Sequence, residues 1–224
     1  FMESIKLKYY EKQQVVKNVF LSAISPSDYQ YFQSLNSNTI YLPAFHSNKR
    51  VTAKPGKGKS ILFHGNLSVN ENINAAVYIL KNICPKADYS FVFAGKNPPQ
   101  RLINKIKKQK NTQLIINPSE EKMKELIHNA HIHLLITFQD TGIKLKLINA
   151  LFNGRFCLTN HTMVKNTNLE SLIHLAETPE EFINKINQLM AQSFNDNLLN
   201  KREQLLLKNV NNNLNVQKLI TLLD

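Results

Sequence analysis

Apolar positions settle into a regular rhythm from about residue 60 onward. Six short apolar runs, "SILFHG", "YSFVFAG", "TQLIIN", "IHLLIT", "RFCLTN" and "LIHLAE", have the length of strands. Between most of them lie stretches whose apolar residues return every three or four positions, at 70–83, 99–109, 119–129 and 142–153, as on a helix with one buried face. Strands alternating with amphipathic helices predict an α/β fold, a doubly wound parallel sheet with flanking helices and right-handed crossovers. In such sheets ligands bind beyond the carboxyl ends of the strands.

The flanks are read the same way. Residues 3–19 have roughly helical spacing, and "FLSAIS" and "TIYLPAF" are strand candidates. Ser25 followed by Pro26 predicts a capped helix running to about Leu35. Residues 46–59, "HSNKRVTAKPGKGK", gather Gly, Pro and Lys without periodicity and read as a flexible, solvated linker at a domain boundary. In "TPEEF", Thr178, Pro179 and Glu181 stand at the N-cap, first-turn and capping-box positions of another helix. Two more helical stretches, 195–208 and 213–223, close the chain without a sustained heptad.

Composition excludes disorder: 42% of the residues are hydrophobic and 20% charged. No apolar run approaches the ~20 residues that a bilayer span requires, and the N-terminus lacks a signal-peptide layout, so a cytoplasmic location is expected. Phe1 precedes Met2, which suggests a fragment of a longer chain. Cys84 and Cys157 lie far apart in apolar surroundings and are expected to be buried, reduced thiols.

Charge adds a direction. Residues 1–110 hold 17 of the 28 Lys and Arg but only five of the 16 Asp and Glu, a surplus equal to the net +12 of the whole chain. That surplus suits nucleic acid, lipid headgroups or a phosphorylated ligand, and charge alone does not choose among them. Lys6, Lys8, Lys12 and Lys17 would meet anionic headgroups if the protein works at a membrane face; a solvated helix is the plainer expectation.

Three strand ends offer anion sites. Gly65 and Asn66 close the first strand of the regular region, where backbone amides and a helix N-terminus can meet a phosphate. Gly95 and Lys96 repeat the arrangement one strand later, with Lys96 as a point charge. At the fourth strand end, Phe138 offers a ring to a base or sugar, Gln139 and Asp140 can bond hydroxyls, and Gly142 opens a helix that carries Lys144 and Lys146. Two residues apart, these lysines cannot share a helix face unless the helix begins after them. "GKGKS" is not a phosphate loop, because Ala53 stands where its first glycine would and a strand follows it. His128, His131 and His133 cluster without a complete metal-ligand set.

With these motifs the chain resembles the retaining, two-Rossmann-domain (GT-B type) glycosyltransferases that use nucleotide-sugar donors. "ILFHGNLSVNEN", "FVFAGKNP", "NPSEEKMKELIHNAHIHLLIT" and "TGIKLKLINALFNGRFCLTN" are similar to successive parts of the family's donor-binding domain, and residues 1–45 to the end of its acceptor-side domain. The resemblance implies four segments: 1–45, remnant of the N-terminal acceptor-side domain; 46–59, linker; 60–192, donor-binding Rossmann-like domain; 193–224, C-terminal helices. It implies a hexosyltransferase of glycan or polysaccharide biosynthesis that moves a sugar from a nucleotide diphosphate to an acceptor hydroxyl with retained configuration. The acceptor would be a glycan or lipid-linked, with peripheral contact at the inner membrane face, no metal, no cofactor beyond the donor itself, and no nucleic acid. The implied donor residues are Gly65, Asn66, Gly95, Lys96, Phe138, Gln139, Thr141, Gly142, Lys144, Lys146 and Asn149. Thr141 and Asn149 stand where the family usually has two glutamates, and Asn66 where it has an arginine, so Lys144 or Lys146 would supply the diphosphate cation and binding is a safer expectation than catalysis. The competing expectation is a binding module, either a catalytically degenerate transferase-like domain or a basic Rossmann-like domain for nucleic acid.

Overall fold

A computed structural model describes residues 2–15, 20–139 and 144–222 and divides the chain into two units, one of residues 1–45 with 210–224 and one of residues 46–209. The first unit starts with α1 (Met2–Gln14), followed by β1 (Leu21–Ala23), α2 (Pro26–Leu35) and β2 (Thr39–Tyr41). The two strands pair in parallel. Ser25 caps α2 as its sequence predicts: its hydroxyl accepts the Asp28 amide at 3.1 Å, and Pro26, with no N–H to satisfy, takes the first turn.

In the second unit the six apolar runs become β3 (Ile61–Asn66), β4 (Phe91–Lys96), β5 (Thr112–Ile116), β6 (Ile132–Leu135), β7 (Phe156–Thr159) and β8 (His174–Leu175). Every pair is parallel, in the order β5-β4-β3-β6-β7-β8. The connecting helices are α3 (Asn70–Asn82), α4 (Gln100–Lys107), α5 (Glu120–Asn129), α6 (Leu145–Asn153), the short α7 (His161–Val164), α8 (Pro179–Ala191) and α9 (Asp196–Asn209). A last helix, α10 (Asn212–Ile220), belongs to the first unit, where the Asn215 amide donates to the Pro43 carbonyl at 3.0 Å. The unit boundary therefore falls between the two C-terminal helices.

Side chains alternate across the sheet. Ile61 and Phe63 of β3 and Phe91 and Phe93 of β4 face a core closed by Ile73, Ala76 and Ile79 of α3, Leu102 and Ile106 of α4, and Phe182, Ile186 and Leu189 of α8. Leu62, Val92 and Ala94 face the other way, onto Ile127 of α5. Burial on both faces explains why these strands are continuous apolar runs without polar alternation.

The chain adds strands outward from β3 to β5, then crosses back to place β6 on the other side of β3. The topological switch point therefore lies between the carboxyl ends of β3 and β6, where a crevice opens in folds of this kind.

Residues 46–59 form no helix or strand, yet they are not a loose tether. The Thr52 and Ala53 amides donate to the Phe152 carbonyl, Ala53 is buried, and Gly56 exchanges backbone hydrogen bonds with Phe194. The Gly58 amide donates to Nδ1 of His131 at 3.0 Å. Gly and Lys content signals solvation; backbone bonds to the rest of the second unit, invisible to composition, override it.

Candidate functional site

Polar side chains from three elements meet at the switch point. β3 ends in Asn66, whose side-chain oxygen is occupied by its own turn, accepting from the Ser68 amide at 3.1 Å and hydroxyl at 2.8 Å. The Asn66 carbonyl accepts from Nδ2 of Asn72, in the first turn of α3, at 2.9 Å. The Asn72 side-chain oxygen in turn accepts from the Lys146 ammonium at 2.9 Å, which ties α3 to the start of α6. Burial lowers the Lys146 pKa, the Glu71 carboxylate opposes that shift, and Lys144 adds to it.

The end of β6 supplies the second half. Thr137 is fully buried and clamped by Asn160, just after β7: its amide donates to the Asn160 side-chain oxygen at 3.1 Å, and its carbonyl accepts from Nδ2 at 2.6 Å. The Thr137 hydroxyl accepts from the Gln139 amide at 3.2 Å and donates to Oε1 of Glu71, which reaches across from α3. Since the hydroxyl has one proton, that proton is directed at the carboxylate.

Lys144 is the N-cap residue of α6 and Lys146 lies inside its first turn. Because the helix begins between them, both lysines can serve the same strand end; the Lys144 ammonium donates to the Gln139 carbonyl at 2.9 Å. Phe138 is 57% exposed and packs edge-on against Tyr78 of α3, with ring centroids 5.5 Å apart. Phe138 immediately precedes Gln139, whose carbonyl Lys144 holds. Asn149 follows one turn along α6, its side-chain oxygen accepting from Asn153 at 2.8 Å. Lys96 is exposed one strand outward from the crevice, in register with Asn66. Asp140, Thr141 and Gly142, like Lys17, lie outside the described residues.

Gly95 has a packing reason. A Cβ there would stand 1.9 Å from the Gly65 carbonyl oxygen and 2.8 Å from the Leu67 side chain, so β3 and β4 approach where only glycine fits. Gly65 is less constrained, its nearest would-be contacts being Asn72 side-chain atoms at 3.2 Å.

Below the crevice, His64 is buried and its pKa is pushed down to about 4 by burial, with the Lys146 charge adding to the effect. His133 of β6 faces it, ring centroids 6.1 Å apart. Burial lowers the His133 pKa well below its usual range, and His64 and Arg202 act in the same direction. His131 is engaged elsewhere, its Nε2 lying 2.8 Å from the Leu189 carbonyl. Among the described residues no group of three His, Cys, Asp or Glu side chains is arranged to hold a metal ion. Cys84 and Cys157 are buried and unbonded, and burial raises their thiols to about 12 and about 11. No described helix is long and apolar enough to cross a membrane.

Glu71, Asn72, Thr137 and Asn160 escape a reading of strand ends one at a time. Glu71 and Asn72 look like ordinary first-turn residues of a helix, and their role depends on contacts 66 and 74 residues away along the chain.

No family model matches the chain, and no curated protein matches it by sequence. Solved structures match it by fold. TarM is 15% identical with a TM-score of 0.70, covering 97% of this chain and 46% of its own. A mutant of TarM from S. aureus, solved in complex with UDP among other ligands, is 13% identical with a TM-score of 0.68, covering 95% and 46%. A glycosyltransferase from Rickettsia africae is 12% identical with a TM-score of 0.70, covering 97% and 66%. The chain thus spans about half the length of TarM. At these identities the likeness establishes the fold, which is the GT-B glycosyltransferase fold with a Rossmann-like six-stranded sheet.

Proposed function

We propose that the chain is the donor-binding part of a retaining glycosyltransferase, binding a nucleotide-diphosphate sugar at the switch point between β3 and β6. The observation that carries this reading is the Lys146–Asn72–Asn66 connection, which holds a half-buried ammonium at the crevice mouth. An ammonium in partly desolvated surroundings attracts a diphosphate more strongly than one in bulk water. Lys144 stands beside it at the N-terminus of α6, Phe138 offers a ring for the base, and the UDP complex of TarM belongs to the same fold.

In the proposed reaction the bond between the anomeric carbon and the diphosphate oxygen breaks, and its electron pair leaves with the nucleoside diphosphate. The acceptor hydroxyl oxygen bonds to the anomeric carbon on the face just vacated, and its proton passes to the departing phosphate oxygen. Lys146 and Lys144 stabilise the charge that develops on the leaving group. The acceptor is a glycan or lipid-linked hydroxyl.

Thermal unfolding with millimolar UDP, GDP and ADP tests this reading. One of the three is expected to raise Tm, and Lys146→Ala to weaken its binding by about tenfold, as for loss of a hydrogen bond to a charged group. No shift with any of them, alongside salt-dependent RNA binding, would replace the transferase reading with that of a basic nucleic-acid-binding module.

A further inference from the structure

We propose that Glu71 is the sugar-recognition residue of this site, accepting hydroxyls of the donor's sugar and selecting uncharged sugars over uronic acids. The assignment rests on the donor-binding reading above and deepens it.

An acid in the first turn of a helix is ordinarily explained by the helix dipole, and such an acid needs no fixed orientation. Glu71 has one. Its Oε1 accepts from the buried Thr137 hydroxyl, which is set by the Gln139 amide, and Thr137 is held by two hydrogen bonds to Asn160. Three elements, α3, β6 and the turn after β7, thus cooperate to aim one carboxylate at the switch point. Thr137 and Asn160 are positioning residues.

Only one oxygen of Glu71 is used in this way; Oε2 has no hydrogen-bond partner among the described residues, and the side chain is half-buried. A partly buried carboxylate oxygen is a strong acceptor for hydroxyl protons. The crevice therefore has two complementary sides. Lys146 and Lys144 offer donors and positive charge, and Glu71 offers an acceptor and negative charge. A free nucleoside diphosphate is served only by the first side, because its phosphates and Glu71 repel. A nucleotide sugar uses both: diphosphate on the lysines, neutral polyol on the carboxylate. A uronic acid brings a second carboxylate towards Glu71, and like charges in one partly desolvated site disfavour binding.

The test is calorimetric titration of the full chain and of Glu71→Gln with UDP, UDP-glucose and UDP-glucuronate, and with GDP, GDP-mannose and GDP-mannuronate. For whichever base binds, the unmodified protein is expected to hold the neutral sugar conjugate at least ten times more tightly than the uronate. E71Q should bind the bare diphosphate no more weakly, since it also removes the negative neighbour of Lys146. It should reduce the preference for neutral sugar over uronate to less than threefold. Thr137→Val should lower the gain in affinity from diphosphate to sugar conjugate and leave diphosphate affinity within threefold. If E71Q binds diphosphate but keeps the full discrimination between neutral and acidic sugars, the assignment of Glu71 is overturned and the donor site stands. If none of UDP, GDP and ADP binds the unmodified protein, the donor site and this assignment fall together.

Discussion

The glycine after α6 shows how little room some residues have. A Cβ on Gly154 would lie 1.9 Å from Nε2 of the buried His133, although the Gly154 backbone is ordinary extended chain. Gly154→Ala is therefore expected to lower unfolding stability by about 1–3 kcal/mol through overpacking, read as a lower urea midpoint at unchanged slope. The sequence ends the helical stretch at residue 153 and shows nothing of the histidine that packs against Gly154. The same holds at the candidate site. Lys144, Lys146, Phe138 and Gln139 were legible because they follow a predicted strand end, whereas Glu71 was not, because its partner Thr137 comes from a strand far along the chain. Local pattern reveals what a residue's own element does; contacts across the switch point depend on strand order.

At the scale of elements, two arginines do the work of helix caps. Arg155 donates to the His128 and Ala130 carbonyls at the end of α5. Arg202, buried in α9, donates to the Leu151, Gly154 and Arg155 carbonyls at and beyond the end of α6, with its guanidinium 4.5 Å from the centre of the Phe194 ring. Cations at helix C-termini satisfy carbonyls that the helix leaves unpaired and oppose the negative end of its dipole. Arg202→Met should cost about 3 kcal/mol, since it strands buried acceptors of charged hydrogen bonds, with native-state hydrogen exchange faster in α6 than in β4. Because α6 also carries Lys146, a looser helix should weaken diphosphate binding too. All six strands of the main sheet and its long helices are legible: burial on both faces leaves apolar runs in β3, β4, β6 and β7, the outer strands β5 and β8 are short apolar runs although partly exposed, and burial on one face leaves helical spacing. The four-residue α7 and the 3-10 turns at Cys84–Lys86 and Glu170–Leu172 are not, because a single turn is too short to carry a period.

Over the whole molecule, acid lability should trace to buried neutral histidines. His64 and His133 hold pKa values below the unfolded value near 6.5, so the unfolded chain binds protons that the folded one excludes. Their contribution is full above about pH 6.5 and is lost as the pH falls, approaching a loss on the order of 3 kcal/mol for His64 alone near pH 4. Tm is expected to be flat from pH 8 to 7 and to drop by pH 5, and His133→Leu to flatten that drop; an unchanged slope would assign the effect to other groups. Charge is also distributed by unit in a way that the linear count hides. Residues 1–45 with 210–224 carry five Lys and Arg against four Asp and Glu, while residues 46–209 carry 23 against 12, so the surplus resides in the second unit and not in the N-terminal helix.

Part of that surplus has a use that involves no ligand. Among the described residues β5 is an outer strand with one unpaired side, and between Tyr89 and Ser119 the chain has six cations and no acid. Leu102 and Ile106 hold α4 to the core, and Arg101, Lys105, Lys107, Lys108 and Lys110 are exposed on and just beyond it. A second copy offering its own β5 to extend the sheet would bring the same cations with it, and repulsion between the two sets is expected to oppose that pairing. Salt screens such repulsion, so self-association is expected to increase with ionic strength, read as a rise in sedimentation coefficient.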